Sequence, residues 1–100
     1  MRRHFKRIVI EGPYNAAVKE FVSELRIYFG KHNRGSVKFI KMDRNYTDIW
    51  LEVDDRERIY IGRVQGRNPS LKSYRAVFWG TWHRMFGWVE RPSRRKRKSL

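Results

Sequence analysis

The sequence predicts an α/β domain on a mixed four-stranded sheet, in the order strand, helix, strand, strand, strand, helix. Two observations carry this. Apolar residues recur at 3-and-4 spacing in two segments, Val18 to Phe29 and Leu71 to Met85, whereas four shorter segments are apolar runs or alternate with period two. A strand, helix, strand start needs a right-handed parallel crossover, and the hairpin expected after it adds antiparallel strands to the same sheet.

Each element has its own signal. Ile8-Val9-Ile10 is a short β-branched run ended by Gly12-Pro13, a buried strand followed by a turn. Asn15 offers a helix N-cap, and Val18, Phe21, Val22, Leu25, Tyr28 and Phe29 fall on one stripe of the helix that follows. Lys19, Glu20, Ser23, Glu24 and Arg26 lie mostly off that stripe and read as its solvated face. Ser36 to Met42 alternates weakly; Asp48 to Val53 alternates clearly, with Ile49, Leu51 and Val53 on one face and Trp50 and Glu52 on the other. Asp54-Asp55-Arg56-Glu57 is a polar turn before Arg58-Ile59-Tyr60-Ile61, so the last two strands form a hairpin. Asn68-Pro69 marks a helix start, because Pro is tolerated at the first helical position. Leu71, Tyr74, Phe78, Trp82 and Met85 form the stripe of this second helix, and Gly87 and Pro92 stop it. The expected core comprises Phe21, Leu25, Ile49, Leu51, Ile59 and Phe78. The layout is that of a reduced thioredoxin-like domain over residues 8–90, between a basic arm (1–7) and a basic tail (91–100).

Composition narrows the chemistry. A domain of about 85 residues buries only about 60–65% of its unfolded surface, and a 40% apolar content is enough for that one small core. There is no Cys, hence no disulfide framework, thiol chemistry or Cys-ligated zinc. At the start of the first helix, where a thioredoxin-like oxidoreductase would need Cys-x-x-Cys, the sequence reads Gly12-Pro13-Tyr14-Asn15. His4, His32 and His83 have no partner at metal-site spacing, and neither phosphate-loop glycines nor a nucleophile elbow occurs. Asp54, Asp55 and Glu57 could form an acid cluster, but a hairpin tip calls for the same residues. No catalytic residue, metal, cofactor or small-molecule substrate is expected. No apolar run reaches the roughly 18 residues of a membrane span.

Charge carries the positive signal. The chain has 24 Lys and Arg against 10 Asp and Glu, and nine of the 24 lie in two acid-free runs, Arg2, Arg3, Lys6, Arg7 and Arg94, Arg95, Lys96, Arg97, Lys98. Like-charge runs repel themselves and order when a polyanion neutralises them and releases its counterions, so both are expected to bind RNA phosphates, with Lys31 and Arg34 of the Lys31-His32-Asn33-Arg34 loop beside them. A five-base run also serves as a nuclear import address or binds acidic lipid. Combined with a compact body lacking catalytic residues, it points to RNA. Met1 to Arg7 is Arg-rich like an organellar transit peptide, yet the strand at Ile8 leaves room only for a short, retained signal.

Trp79, Trp82, Phe86 and Trp88 crowd ten residues, and Trp79 and Trp82 stand about 60° apart on a helix. The excess is a wide core face, a protein-facing patch, or a platform for an unpaired base. Trp79 and Trp88, flanked by Arg75 and Arg84, are expected to face a neighbouring protein. Arg63, Arg67, Lys72 and Arg75 are solvated charges or phosphate contacts.

With Phe5-Lys6-Arg7-Ile8-Val9-Ile10, a Pro13-Tyr14 turn into the helix Ala16 to Phe29, three strands and a terminal helix, residues from about 5 to 86 resemble the small thioredoxin-like proteins of mitochondrial ribosomes. A complex I accessory subunit shares that family, and the Pro-aromatic step is most similar to a large-subunit member. Other members carry a Gly-Gly-Ser-Ser stretch there, and the Trp-rich second helix departs from the family. The resemblance implies a non-catalytic ribosomal constituent in the mitochondrial matrix, bound to ribosomal RNA and neighbouring ribosomal proteins. Alternatives are a free nucleic-acid-binding module, viral or chromatin-associated, and the complex I subunit, to which five consecutive cations would bring nothing.

Overall fold

Strand β1 (Arg7–Gly12) pairs in parallel with β2 (Ser36–Lys41) and antiparallel with β3 (Tyr46–Glu52), which pairs antiparallel with β4 (Arg58–Gln65). The computed structural model describes residues 5–30 and 36–87. Helix α1 (Ala16–Gly30) links the two parallel strands, as a parallel pair requires, and α2 (Leu71–Phe86) follows β4. The sheet order is β2-β1-β3-β4, so the described residues form an α/β fold with a mixed four-stranded open sheet and two helices.

Both helices sit on one face. α1 packs on β2 and α2, and α2 packs on β4. One apolar cluster joins Ile8, Ile10, Ile49, Leu51, Ile61 and Val64 of the sheet to Val18, Phe21, Leu25 and Phe29 of α1 and Tyr74, Phe78 and Trp82 of α2. Phe21 stacks on Tyr74 at 5.5 Å and meets Phe78 edge-on at 5.9 Å. Five of the six expected core residues are buried; Ile59 is half-buried against the cluster.

Local chemistry sets the boundaries. Asn15 Oδ1 accepts from Val18 N (2.8 Å) as the α1 cap, while its amide donates to Tyr74 Oη and to the Arg67 carbonyl (both 3.1 Å), tying the start of α1 to α2. Asp54 Oδ1 accepts from the backbone N–H of Arg56 and Glu57 at 2.8 and 2.9 Å, the bonding of an Asx turn. Gly87 at φ +72° ends α2 in a conformation that disfavours other residues.

Three boundaries differ from expectation. The packing reaches back past residue 8 to Phe5, the first described residue: Phe5 is buried edge-on against Phe29 and Trp82, and Lys6 N donates to the Glu52 carbonyl at 2.8 Å. A single aromatic within a basic stretch is too weak a period to reveal this. Ser70, not Asn68, caps α2 by accepting from Ser73 N at 3.2 Å, so Pro69 precedes the cap instead of opening the helix. β4 continues past Gly62 to Gln65. Its ladder with β3 slips between Ile49 and Trp50, which pair with Gly62 and Tyr60, leaving Ile61 as the extra residue of a bulge. Gly62 lies beneath α2, where a Cβ would stand 2.7 Å from Val77 Cγ1. The residues expected as a tail, 91–100, lie outside those described.

Candidate nucleic-acid interface

Of the cations expected to meet RNA, Arg2, Arg3, Lys31, Arg34, Arg94, Arg95, Lys96, Arg97 and Lys98 lie outside the described residues. Lys6 and Arg7 are described, and each has an acidic partner. Lys6 pairs with Asp55, and Arg7 Nε stands 3.4 Å from Glu52 Oε1, its cross-strand neighbour in the β1/β3 ladder. They belong to the domain rather than to an unpaired arm, because β1 starts at Arg7 and aligns it with an acid.

The expected protein-facing patch is changed in the same way. Trp79 fills the seam between the helices, edge-on to Tyr28 at 5.2 Å and stacked on Phe29 at 5.9 Å. It is a half-buried member of the domain's own core, because the Tyr28–Phe29 end of α1 offers a second apolar surface beside the Trp82 stripe. Arg75 pairs with Glu24 across the same seam, and Arg84 donates to Thr81 Oγ1 at 3.1 Å within α2. Trp88 lies outside the described residues.

The sheet face opposite the helices emerges as the most distinctive surface. Alternation along the strands and the pairing registers bring three rows of side chains onto it: Arg7, Glu52, Arg58; Lys38, Val9, Trp50, Tyr60; and Ile40, Glu11, Asp48, Arg63. Tyr46 shares the face, and Arg44 reaches it from the β2–β3 turn. Val9, nearly fully buried, belongs to this side and not to the helix-side cluster.

Its chemistry is layered. Trp50 meets Tyr60 at 4.8 Å between centroids and donates from Nε1 to Glu11 Oε1 at 3.3 Å. The Arg58 guanidinium lies 4.5 Å from the Trp50 ring; those of Arg44 and Arg63 lie 4.2 and 4.0 Å from Tyr46. Asp48 is the anionic centre. It accepts from Tyr60 Oη at 2.7 Å and from Arg63 Nε and Nη2 at 2.9 and 3.3 Å, with Arg44 3.5 Å away. Burial alone would raise the Asp48 carboxyl; hydrogen bonds from Arg63 and Tyr60 and the charges of Arg63 and Arg44 outweigh it and hold the group below its ordinary value. Burial, then the bond to Asp48, pushes the Tyr60 phenol up, so it stays protonated and donates.

The carboxylates lie deeper than Arg58 and Arg63, with Arg44, 21% exposed, down among them. The Asp48 side chain is 9% exposed and that of Arg63 44%; Glu11 and Glu52 are each 23% exposed and Arg58 44%. The acids hold the Arg58 and Arg63 guanidinium groups above them, while Lys38 and Lys41 at the β2 edge have no ion pair among the described residues. Solvent meets cations and aromatic rings. Such a surface can pair phosphates and stack planar groups.

The sequence marks half of this face, since alternation already sets Trp50 and Glu52 opposite Ile49 and Leu51. That both helices leave it uncovered depends on topology, and the seating of Arg63 opposite Asp48, on the same face as Tyr60, depends on the bulge. Among the described residues no group of three or more His, Cys, Asp or Glu is placed to hold a metal ion, and no helix is long and apolar enough to cross a membrane. In comparisons with known proteins, no protein family, no curated sequence and no solved structure matches this chain.

Proposed function

We propose that this protein is a non-catalytic, RNA-binding structural constituent of a mitochondrial ribosome, in the large subunit, with a thioredoxin-like body seated among ribosomal proteins in the matrix. The observation that carries the reading is the partition of charge. The described residues hold 14 basic and 9 acidic side chains, most of them mutually paired, whereas the other 22 residues hold 10 basic and a single acid, Glu90. A body of net +5 continued by 22 residues of net +9, 14 − 9 against 10 − 1, suits a protein that anchors in a phosphate backbone. The β2-β1-β3-β4 order, with β3 antiparallel to both neighbours and the two helices together on one face, supports the thioredoxin-like reading, used as a scaffold because no thiol stands at the start of α1.

The test is sedimentation of the tagged full chain from an organelle lysate. It is expected with the large ribosomal particle and retained in moderate salt, because protein contacts persist when phosphate contacts weaken. Replacing Arg94, Arg95, Lys96, Arg97 and Lys98 with Gln should lower the slope of log affinity for RNA against log salt by up to about 3.5–4.5. A protein found in free fractions at every salt concentration is not a ribosomal constituent, and an unchanged slope removes those five residues from the RNA contact.

A further inference from the structure

The uncovered sheet face has a composition that the ribosomal reading leaves unused, and its layering commits it to one kind of occupant. Tyr60, 45% exposed, is the most accessible ring on the face, and it stands at the end of a row formed with Trp50, Val9 and Lys38. Flanking it along β4 are Arg58 and Arg63, whose guanidinium groups are already positioned by ion pairs and by contact with Trp50 and Tyr46. Less side-chain freedom is then lost when a ligand binds, which favours affinity. The carboxylates that position them are less exposed than these two guanidinium groups, so an approaching anion meets cations first.

We propose that this face binds an unpaired RNA strand, with a base stacked on Tyr60 beside Trp50 and the adjoining phosphates on Arg58 and Arg63. The proposal rests on the RNA-binding reading above and deepens it by separating two modes of contact. Concentrated cations such as Arg94 to Lys98 take any phosphate backbone, paired or not. An open four-stranded sheet face with aromatic rings and planar guanidinium groups takes bases that are free to splay out, because paired bases have no exposed π-face. An acidic protein surface would use the cations and leave Tyr60 and Trp50 without a planar partner.

The experiment measures binding of the full chain to a short single-stranded RNA and to the same RNA annealed to its complement, at one salt concentration. Tyr60→Ala is expected to weaken the single strand by about 5- to 150-fold and the duplex by less than about twofold, the usual worth of one stacked base. Tyr60→Phe, which keeps the ring and loses the bond to Asp48, should recover most of the single-strand affinity. Arg58→Gln, at a side chain on the rim of the face, should also weaken the single strand more than the duplex. Thermal melting establishes that the variants fold. If Tyr60→Ala and Arg58→Gln, both folded, change single strand and duplex equally or not at all, the proposal is overturned. Loss of particle incorporation in Tyr60→Ala with unchanged RNA binding also overturns it and assigns the face to a protein. A chain whose five-Gln variant at residues 94–98 loses both RNAs while Tyr60→Ala loses neither keeps the ribosomal reading and refutes this one; a full chain that binds neither RNA refutes both.

Discussion

Replacing Gly12 with Ala should destabilise the protein through one steric conflict. Gly12 ends β1 next to Thr47 of β3, and a Cβ built on its backbone stands 2.8 Å from both Thr47 Cα and Thr47 Cβ, closer still to Oγ1. Relaxed carbon contacts begin near 3.5 Å, so the strands must separate by about 0.7 Å or Thr47 must shift as far. Turning the Thr47 side chain removes only the Oγ1 conflict, because Cα belongs to the backbone and Cβ is fixed to it. Thr47 is fully buried, and Gly12 O accepts from Met42 N at 2.8 Å, so a shift also strains the turn that follows β2. Overpacking of this kind costs about 1–3 kcal/mol, and a domain of this size loses about 4–8 °C of melting temperature per kcal/mol. Circular dichroism melts should therefore place Gly12→Ala about 4–24 °C below the parent. Adding Thr47→Gly, which removes the Cβ and Oγ1 conflicts but not the Cα one, should leave the double variant more stable than two independent losses would. A Gly12→Ala protein melting within about 2 °C of the parent, or a fully additive double variant, would mean that the β1/β3 spacing is not set by this contact.

Two further outcomes follow from the same packing. Trp79→Ala should cost about 2–3 kcal/mol in melting experiments, below the range for a fully buried ring because Trp79 is half-buried, and should reduce particle incorporation only as far as it unfolds the domain; unchanged melting with lost incorporation would restore Trp79 to a docking face. Asp48 has a folded-state pKa below its ordinary value, so the stability it contributes is present above about pH 3.9 and is lost as pH falls through the folded value. The gap in melting temperature between parent and Asp48→Asn should thus be widest near neutral pH and narrow below about pH 3.9; a gap that persists undiminished to lower pH would mean that the ion pairs with Arg63 and Arg44 contribute no net stability.

What the sequence legibly carried was periodicity. The 3-and-4 spacing of Val18 to Phe29 and of Leu71 to Met85, the alternation through Ile49 and Leu51, the Asn15 cap and the Asp54 turn all appear in the structure as expected, because each is a property of a few consecutive residues. The mixed four-stranded sheet followed from the order of those elements. Side-chain partners did not follow. Lys6 and Arg7 look like an unpaired cationic run until β3 brings Asp55 and Glu52 beside them, and Trp79 looks surplus until α1 presents Tyr28 and Phe29. The candidate interface divides along the same line. By itself the sequence determined that the chain is Cys-free, strongly basic and built of two amphipathic helices and four strands, since composition and period need no knowledge of distant neighbours. Only the tertiary structure decided that both helices cover one face, that a bulge at Ile61 brings Arg63 onto the face of Tyr60, and that the acids lie beneath Arg58 and Arg63, because these depend on contacts between residues up to about fifty positions apart in the chain.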